Sequence, residues 1–103
     1  MSSARDVADA KARARHILVT TRGQCLDLKK QLKSGQEFVD LAARFSKCPS
    51  GKQGGDLGEF GPGQMVPEFD EVVFKEPLSV VVGPVKTQFG YHLIEVLSRS
   101  PGT

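Results

Sequence analysis

Few side chains in this chain of 103 residues could titrate near neutral pH or act as nucleophiles, and two of them are histidines in apolar runs. His16 stands beside Ile17, and His92 stands beside Leu93. The alternation of both runs is typical of β-strands. A single histidine in such a run is usually a hydrogen-bonded core residue. Two of them, one per strand, could instead meet across a sheet and hydrogen-bond through their ring nitrogens, which would fix their tautomers.

The two cysteines, Cys25 and Cys48, raise two alternative chemistries. With the histidines they would supply four zinc ligands, but no pair has the close spacing of a zinc motif, and Cys25 falls on the apolar stripe of a predicted helix. A Cys–His hydrolase is the second alternative, since Cys48 opens a glycine-rich loop, but no further motif for acyl transfer accompanies it. We therefore expect no metal, and two free thiols are favoured over a single disulfide.

The segment between Gly51 and Gly63 is rich in glycine and excludes regular structure over most of its length. Its glycines match neither the Walker-type spacing nor the dinucleotide-binding spacing, and Lys52 precedes most of them, so a phosphate-binding loop is only weakly indicated. Large apolar side chains lie within the same segment and just after it: Leu57, Phe60, Met65 and Phe69. Such residues are by default core fillers, but a flexible methionine and a phenylalanine at the start of a helix could equally line a small apolar slot.

The surrounding elements follow the order β-α-α-β-α-β-β. A β-branched run at residues 15–20 predicts the first strand. Apolar residues at helical spacing predict one helix that ends at Gly35, a second over residues 38–45, and a third from Pro67 to Lys75. Residues 80–87 and 91–98 form a hairpin signature with glycine in the connection. The fold class is therefore α+β, with a small antiparallel sheet and helices packed around it.

Length and composition indicate one domain with three segments. Residues 1–14 hold almost no large apolar side chain, which predicts a flexible solvated tail. The folded domain is predicted to span residues 15–99, and residues 100–103 are predicted to form a flexible end. The net charge of +2 is too small to indicate nucleic acid, and a nucleic-acid arm in the tail is disfavoured. No run of apolar residues could span a membrane and no signal peptide is visible, although a processed fragment would look the same. We expect a cytoplasmic monomer.

Several linked motifs resemble the parvulin-type peptidyl-prolyl cis/trans isomerases, closest to the small single-domain bacterial branch. The similarity covers residues 15–98 in unbroken order, which makes it more specific than a lone motif. The residues that carry it are His16-Ile17-Leu18-Val19, Ser46-Lys47-Cys48-Pro49-Ser50, Gly54-Gly55-Asp56-Leu57-Gly58-Glu59-Phe60, Gly63-Gln64-Met65-Val66-Pro67-Glu68-Phe69 and Gly83-Pro84-Val85-Lys86-Thr87-Gln88-Phe89-Gly90-Tyr91-His92.

The resemblance implies a four-stranded antiparallel sheet with an active site on one face. It implies that His16 and His92 are the family's paired strand histidines and that Cys48 stands where the family carries a cysteine or an aspartate. It further implies that Thr87 is linked to the histidine pair. The pocket for the substrate proline ring would comprise Leu57, Met65 and Phe69, joined by Phe89, where the phosphorylation-directed branch often has a smaller polar residue.

Peptidyl-prolyl isomerisation needs no cofactor, because no bond breaks and no proton leaves. The barrier of about 18–20 kcal/mol comes from the partial double bond of the amide. An apolar slot that holds the proline ring while the preceding carbonyl rotates would favour the twisted amide. We expect His16, Cys48, Thr87 and His92 to shape and polarise the site, without covalent attack by Cys48.

Charge predicts which residue precedes the proline. The phosphorylation-directed branch has a basic cluster in a long loop after the first strand, whereas residues 20–23 here hold a single arginine. One exposed cation is a poor clamp for a dianion, so we expect unphosphorylated segments with an apolar residue before proline. The alternative is a non-catalytic binding module or chaperone that grips proline-containing chains with the same slot.

Overall fold

The structure, a computed structural model, describes residues 10–100, and within them the predicted order of elements is confirmed. The four strands are β1 (Lys11–Val19), β2 (Asp56–Phe60), β3 (Val81–Thr87) and β4 (Gly90–Ser100). The three α-helices are α1 (Arg22–Lys33), α2 (Phe38–Phe45) and α3 (Pro67–Lys75), and a short 3-10 turn covers Pro49–Gln53. No helix of the described residues is long and apolar enough to cross a membrane.

The strands form one antiparallel sheet in the order β2-β1-β4-β3, which confirms the predicted α+β fold. The two central strands, β1 and β4, pair along their whole length. His16 lies opposite Ile94, and Leu18 lies opposite His92. Since side chains two residues apart point to the same face, this register places the two histidines diagonally across one face of the sheet.

Each face of the sheet carries its own core. On one face, Ile17, Val19 and Leu93 pack against α1 and α2. On the other face, Ile94 and Val96 pack with β2 and with α3, whose Phe69 and Val73 are buried. The alternation along β4 therefore assigns the histidine face to the side that α3 covers.

The first strand begins earlier than predicted, at Lys11 rather than at Arg15. Ala12 and Ala14 are fully buried between β2 and β4, because small side chains fit where the sheet is closely covered by the aromatic residues of β2 and α3. The assignment of residues 11–14 to a solvated tail is therefore corrected. The rest of the predicted tail, residues 1–9, lies outside the described residues. At the other end β4 runs to Ser100, and residues 101–103 of the predicted flexible end also lie outside them.

The basic residues of β1 are paired with carboxylates. Arg13 Nη2 lies 2.6 Å from Asp56 on β2, and Arg15 Nη2 lies 2.7 Å from Glu95 on β4. The Arg13 guanidinium holds the pKa of Asp56 below its usual range. These two arginines balance acidic partners within the sheet and do not form a basic surface.

The connection after β1 is shorter than predicted. The sequence predicts a loop over residues 20–23 after the first strand, but α1 begins at Arg22 with Thr21 as its N-cap. The Gln24 backbone N–H donates to Thr21 Oγ1 at 3.1 Å, which satisfies one of the free amides of the first turn. Only Thr20 and Thr21 separate β1 from α1.

Candidate functional site

The two histidines meet as the strand pattern suggested. Both are buried, and their Nδ1 atoms lie 2.9 Å apart with the rings stacked at an interplanar angle of 16°. A hydrogen bond between two Nδ1 atoms requires one ring to donate and the other to accept. The register of β1 on β4 thus joins the two imidazoles into one hydrogen-bonded unit.

This unit continues at both ends. On the β4 side, His92 Nε2 lies 2.7 Å from Thr87 Oγ1, which also accepts a hydrogen bond from the Phe89 backbone N–H at 3.1 Å. On the β1 side, His16 Nε2 lies 3.2 Å from Ser50 Oγ, and the Ser50 hydroxyl donates to Cys48 Sγ at 3.2 Å. Thr87 lies where the resemblance implied, and Ser50 is an additional member.

A cavity of about 420 Å³ opens above the histidine pair. It is large enough for a proline ring and part of its neighbours, within the usual range of small-ligand sites. Every predicted site residue except Thr87 lines this cavity. Thr87 is not among the lining residues and contacts Nε2 of His92. The lining residues are His16, Leu18, Lys47, Cys48, Pro49, Leu57, Met65, Val66, Phe69, Phe89 and His92.

Phe69 joins the cavity to the histidines. Its ring stands edge-on to His16, with centroids 5.4 Å apart, and to His92, with centroids 5.5 Å apart. Helix α3 delivers this ring from its first turn, because Pro67 opens the helix where its missing N–H costs nothing. The Asp70 carboxylate accepts the Gly63 N–H at 2.7 Å and ties the preceding loop to the same helix.

The 3-10 turn that contains Ser50, and that follows Cys48 at the cavity wall, is held against β1 by backbone contacts. The His16 N–H donates to the Gly55 carbonyl at 3.0 Å, and the Gly55 N–H donates to the Ser50 carbonyl at 2.8 Å. Gly55 has a φ of +84°, and a Cβ at this position would lie 2.3 Å from the His16 carbonyl oxygen. Only glycine allows this close approach.

Sequence reasoning did not assign Ser50, Leu18 or Lys47 to the site. The signal for Ser50 was present, since it ends the quoted motif that contains Cys48 and its short side chain can reach its neighbours in a tight turn. Leu18 and Lys47 come from separate elements that meet only in the fold, where the Lys47 N–H donates to the Leu18 carbonyl at 2.7 Å.

Both imidazoles are neutral at pH 7. Burial lowers the pKa of His16 to about 4, and the adjacent His92 ring acts in the same direction. Burial also lowers the pKa of His92, against an opposing effect of the Glu68 carboxylate. The Nδ1–Nδ1 contact requires at least one neutral ring, because two protonated rings would direct two N–H groups at each other.

We expect the free energy of unfolding to fall by about 2 kcal/mol between pH 7 and pH 5 through His16 alone. Unfolded histidine titrates near pH 6.5, whereas the pKa of folded His16 is about 4. Between these values the unfolded chain binds more protons, so stability is complete above pH 6.5 and is lost as the pH falls toward 4. The lowered pKa of His92 adds to the loss.

Urea unfolding at pH 7, 6 and 5 measures this dependence. Asp56 does not affect this measurement, because its pKa lies below the ordinary value of 3.8. Its contribution to the free energy of unfolding is lost only at pH values below the range measured. A free energy of unfolding that stays level over the three pH values would contradict the neutral, buried histidine pair.

The four possible zinc ligands do not converge. Cys25 is buried in the core on the opposite face of the sheet, with α1 and α2, and burial raises its pKa to about 11. Both cysteines are free thiols. Among residues 10–100 no group of three or more His, Cys, Asp or Glu side chains could hold a metal ion.

Known proteins share both the sequence and the fold. The family model of the PPIC-type PPIASE domain matches residues 1–100. The foldase protein PrsA of Geobacillus kaustophilus is 46% identical over 90 residues, which are 86% of this chain and 32% of that protein. The chain thus spans about a third of the length of such curated relatives.

Two solved structures illustrate the similarity of the fold. The crystal structure of PrsA from Bacillus anthracis matches with a TM-score of 0.87 at 34% identity and covers 92% of this chain and 44% of that one. The solution structure of NmPin, the parvulin of Nitrosopumilus maritimus, matches with a TM-score of 0.77 at 38% identity. That match covers 85% of this chain and 96% of NmPin.

Proposed function

The chain belongs to the family of PPIC-type peptidyl-prolyl cis/trans isomerase (PPIase) domains, and we propose that it rotates X-Pro bonds in extended or unfolded protein segments. We propose that this rotation proceeds without covalent attack and without preference for a phosphorylated residue before proline. The resemblance inferred from the sequence motifs is confirmed, as is the isomerase activity that it implied. We further propose the substrate class and the role of each side chain.

One observation carries the proposal: an apolar hollow lies directly against a neutral pair of imidazoles. Leu57, Met65 and Phe69 bind the proline ring in this hollow. Isomerisation requires the carbonyl before proline to rotate out of the amide plane, which removes the charge separation of the planar amide. A site with few polar groups therefore favours the twisted amide over both planar isomers.

The surroundings of Cys48 favour a non-covalent role. A cysteine nucleophile needs a neighbouring base that takes the thiol proton. Here the Ser50 hydroxyl contacts Cys48 Sγ, and the His16 imidazole contacts Ser50. Ser50 donates to the sulfur and does not accept its proton, so Cys48 serves as a polarisable wall of the cavity, and His16, Thr87 and His92 keep that wall in place.

The charge around the cavity favours unphosphorylated substrates. Among the residues that line it, Lys47 alone carries a permanent positive charge. Phosphate groups are held most strongly by several cations or by a bidentate arginine, and a single exposed lysine provides neither. Phe89, 61% exposed at the rim, and Leu18 instead provide apolar surface for the residue before proline.

Exchange spectroscopy by NMR on matched peptides tests this function. With catalytic amounts of the protein, a Leu-Pro peptide is expected to show exchange cross-peaks between its cis and trans signals at short mixing times. A phosphoserine-Pro peptide of the same flanking sequence is expected to exchange no faster, with an unphosphorylated Ser-Pro peptide as its control.

Two outcomes of this experiment would contradict the proposal. Shifted peptide signals without exchange would identify a binding module or chaperone in place of an isomerase. Faster exchange of the phosphoserine peptide than of both controls would overturn the proposed substrate class.

A cytoplasmic location and a monomeric state belong to the same proposal. Two unpaired thiols are typical of a reducing compartment, and the cavity is complete within one chain. The partner class is proline-containing peptide or unfolded protein, and neither a membrane nor nucleic acid enters the proposal. Sedimentation analysis at several concentrations distinguishes a monomer from a dimer.

A further inference from the structure

The Lys47 ammonium group at the wall of the cavity has no partner in the part of the chain that the structure describes. Its side chain is exposed and forms neither an ion pair nor a hydrogen bond with any of residues 10–100. Arg13 and Arg15 on β1 differ from it, because each is paired with a carboxylate. An unpaired cation beside an apolar cavity is available to an anionic group that arrives with the substrate.

The backbone of Lys47 is held in place although its side chain is free. Its N–H donates to the Leu18 carbonyl at 2.7 Å. On the preceding residue, Ser46 Oγ accepts the Leu18 N–H at 3.1 Å. These bonds fix the backbone of Lys47 beside the last residues of β1, so only a flexible side chain has to be ordered when an anion binds.

The order of side chains along β1 separates Lys47 from the proposed proline pocket. Ala14, two residues before His16, packs in the cluster that contains Phe69. Leu18, two residues after His16, lines the cavity and is the residue that the Lys47 backbone contacts. Side chains two residues apart lie on the same face of a strand, about 7 Å from each other. Phe69 and Lys47 therefore lie on opposite sides of the histidine.

The charge at the Phe69 end is negative. Glu68 precedes Phe69 in the first turn of α3 and is exposed. Its carboxylate acts to raise the pKa of His92, which shows that its field reaches the floor of the cavity. A negatively charged side chain of the substrate is thus attracted at the Lys47 end and repelled at the Phe69 end.

We propose that Lys47 is a specificity-determining residue that selects an aspartate or glutamate two positions before the proline of the substrate. The residue between them contacts Leu18 and Phe89, as proposed above, and the inference rests on that placement of the substrate. Because Lys47 is exposed, it faces the substrate residue that has already left the cavity. One cation suffices for a carboxylate, whereas a phosphate dianion is held by several, so this preference agrees with the absence of a preference for phosphoserine.

Two Leu-Pro peptides that differ in one residue test the proposal. They carry Glu or Gln immediately before the leucine, so they have nearly the same shape and differ in charge. In exchange spectroscopy at low salt, kcat/KM for the Glu peptide should be about two- to fivefold higher, which is the range expected of an exposed ion pair. At about 1 M salt the Debye length falls to about 3 Å, and the two values should converge. A Glu placed directly after the proline should give no advantage over Gln.

Variants of Lys47 assign the preference to this side chain. Lys47→Met keeps an unbranched chain without the charge, and the ratio of kcat/KM for the Glu and Gln peptides should fall to about one. Lys47→Glu should invert the ratio, because like charges repel. Lys52→Met is the matched control: Lys52 is exposed in the 3-10 turn but does not line the cavity, so the ratio should stay as in the unaltered protein. A ratio measured on one variant is independent of a general loss of activity.

Equal values for the Glu and Gln peptides at low salt, or an unchanged ratio in Lys47→Met, would overturn the proposal. Titration of the protein with the same peptides, followed by its backbone ¹H–¹⁵N shifts, separates this inference from the proposed function. Tighter binding of the Glu peptide without any exchange would refute the isomerase function and leave the role of Lys47 intact. Exchange of both peptides at equal rates with equal affinities would refute the role of Lys47 alone.

Discussion

Replacing Phe69 by leucine should lower kcat/KM for a Leu-Pro peptide by roughly ten- to a hundredfold, which corresponds to about 1.4–2.8 kcal/mol of lost transition-state stabilisation. The ring forms a wall of the cavity and stands edge-on to both imidazoles. Each edge-to-face contact is worth about 0.5–1.5 kcal/mol beyond its buried area, and leucine provides neither. The variant therefore loses both a flat surface for the proline ring and the packing that holds the histidines in their stacked arrangement.

Leucine is preferred to alanine because Phe69 also belongs to the core. It is 3% exposed and packs with Val73 and Ile94, and truncation of a buried phenylalanine to alanine costs about 3–5 kcal/mol of stability. That loss is a large part of the stability of a small domain and would mix unfolding with lost catalysis. Leucine fills most of the volume, so the assay reports on the site.

Phe74 provides the matched control. It lies on the same helix, is half-buried and packs edge-on against Phe60 with centroids 6.4 Å apart, but it does not line the cavity. Phe74→Leu should cost comparable stability and change kcat/KM less than about twofold. Equal losses of activity in the two variants would mean that Phe69 acts through general stability, and the assignment of the proline pocket would be wrong.

The histidine pair was accessible to sequence reasoning because strand periodicity is local. Alternation in β4 places His92 with Ile94 on one face, and an apolar run of the same kind holds His16 in β1. What the pattern could not supply was the register, since one residue of slip would turn every side chain of a strand to the opposite face. The pairing of Leu18 with His92 is decided by packing on both faces of the sheet.

The beginning of β1 was predicted too late because the evidence for it is not local in the sequence. Ala12 and Ala14 carry little apolar surface, so the sequence around them resembles a tail. Their burial depends on β2 and α3, which come more than forty residues later in the chain. A small residue is informative only once the element that covers it is known.

The cavity combines residues that no local pattern connects. Leu18 is the last but one residue of β1, Lys47 follows α2, and Phe89 lies in the β3–β4 turn. The resemblance to the family assigned Phe89, and the apolar cluster near α3 indicated Met65. The contribution of Lys47 depends on a backbone contact with Leu18 that only the three-dimensional structure reveals.

A Gly55→Ala substitution should lower the free energy of unfolding by roughly 3–5 kcal/mol and abolish most of the isomerase activity. The positive φ of +84° strains any residue with a side chain, and the new Cβ would lie 2.3 Å from the His16 carbonyl oxygen. Because the obstacle is backbone rather than a flexible side chain, the structure can relieve it only by moving the 3-10 turn away from β1. The turn would take Cys48 and Ser50 with it and open the hydrogen bond between Ser50 and His16.

Gly58→Ala separates the close approach from the strain of the backbone. Gly58 has a similar φ of +73°, but a Cβ there would meet no atom within 4 Å. The free energy of unfolding of Gly58→Ala should fall by only about 1–2 kcal/mol, because the left-handed backbone conformation is the only source of strain. This variant should keep its activity. Urea unfolding and the exchange assay on both variants give the comparison. If Gly55→Ala proved no more harmful than Gly58→Ala, contact between the turn and His16 would not be what fixes the site, and the support of the histidine pair would have to come from β4 alone.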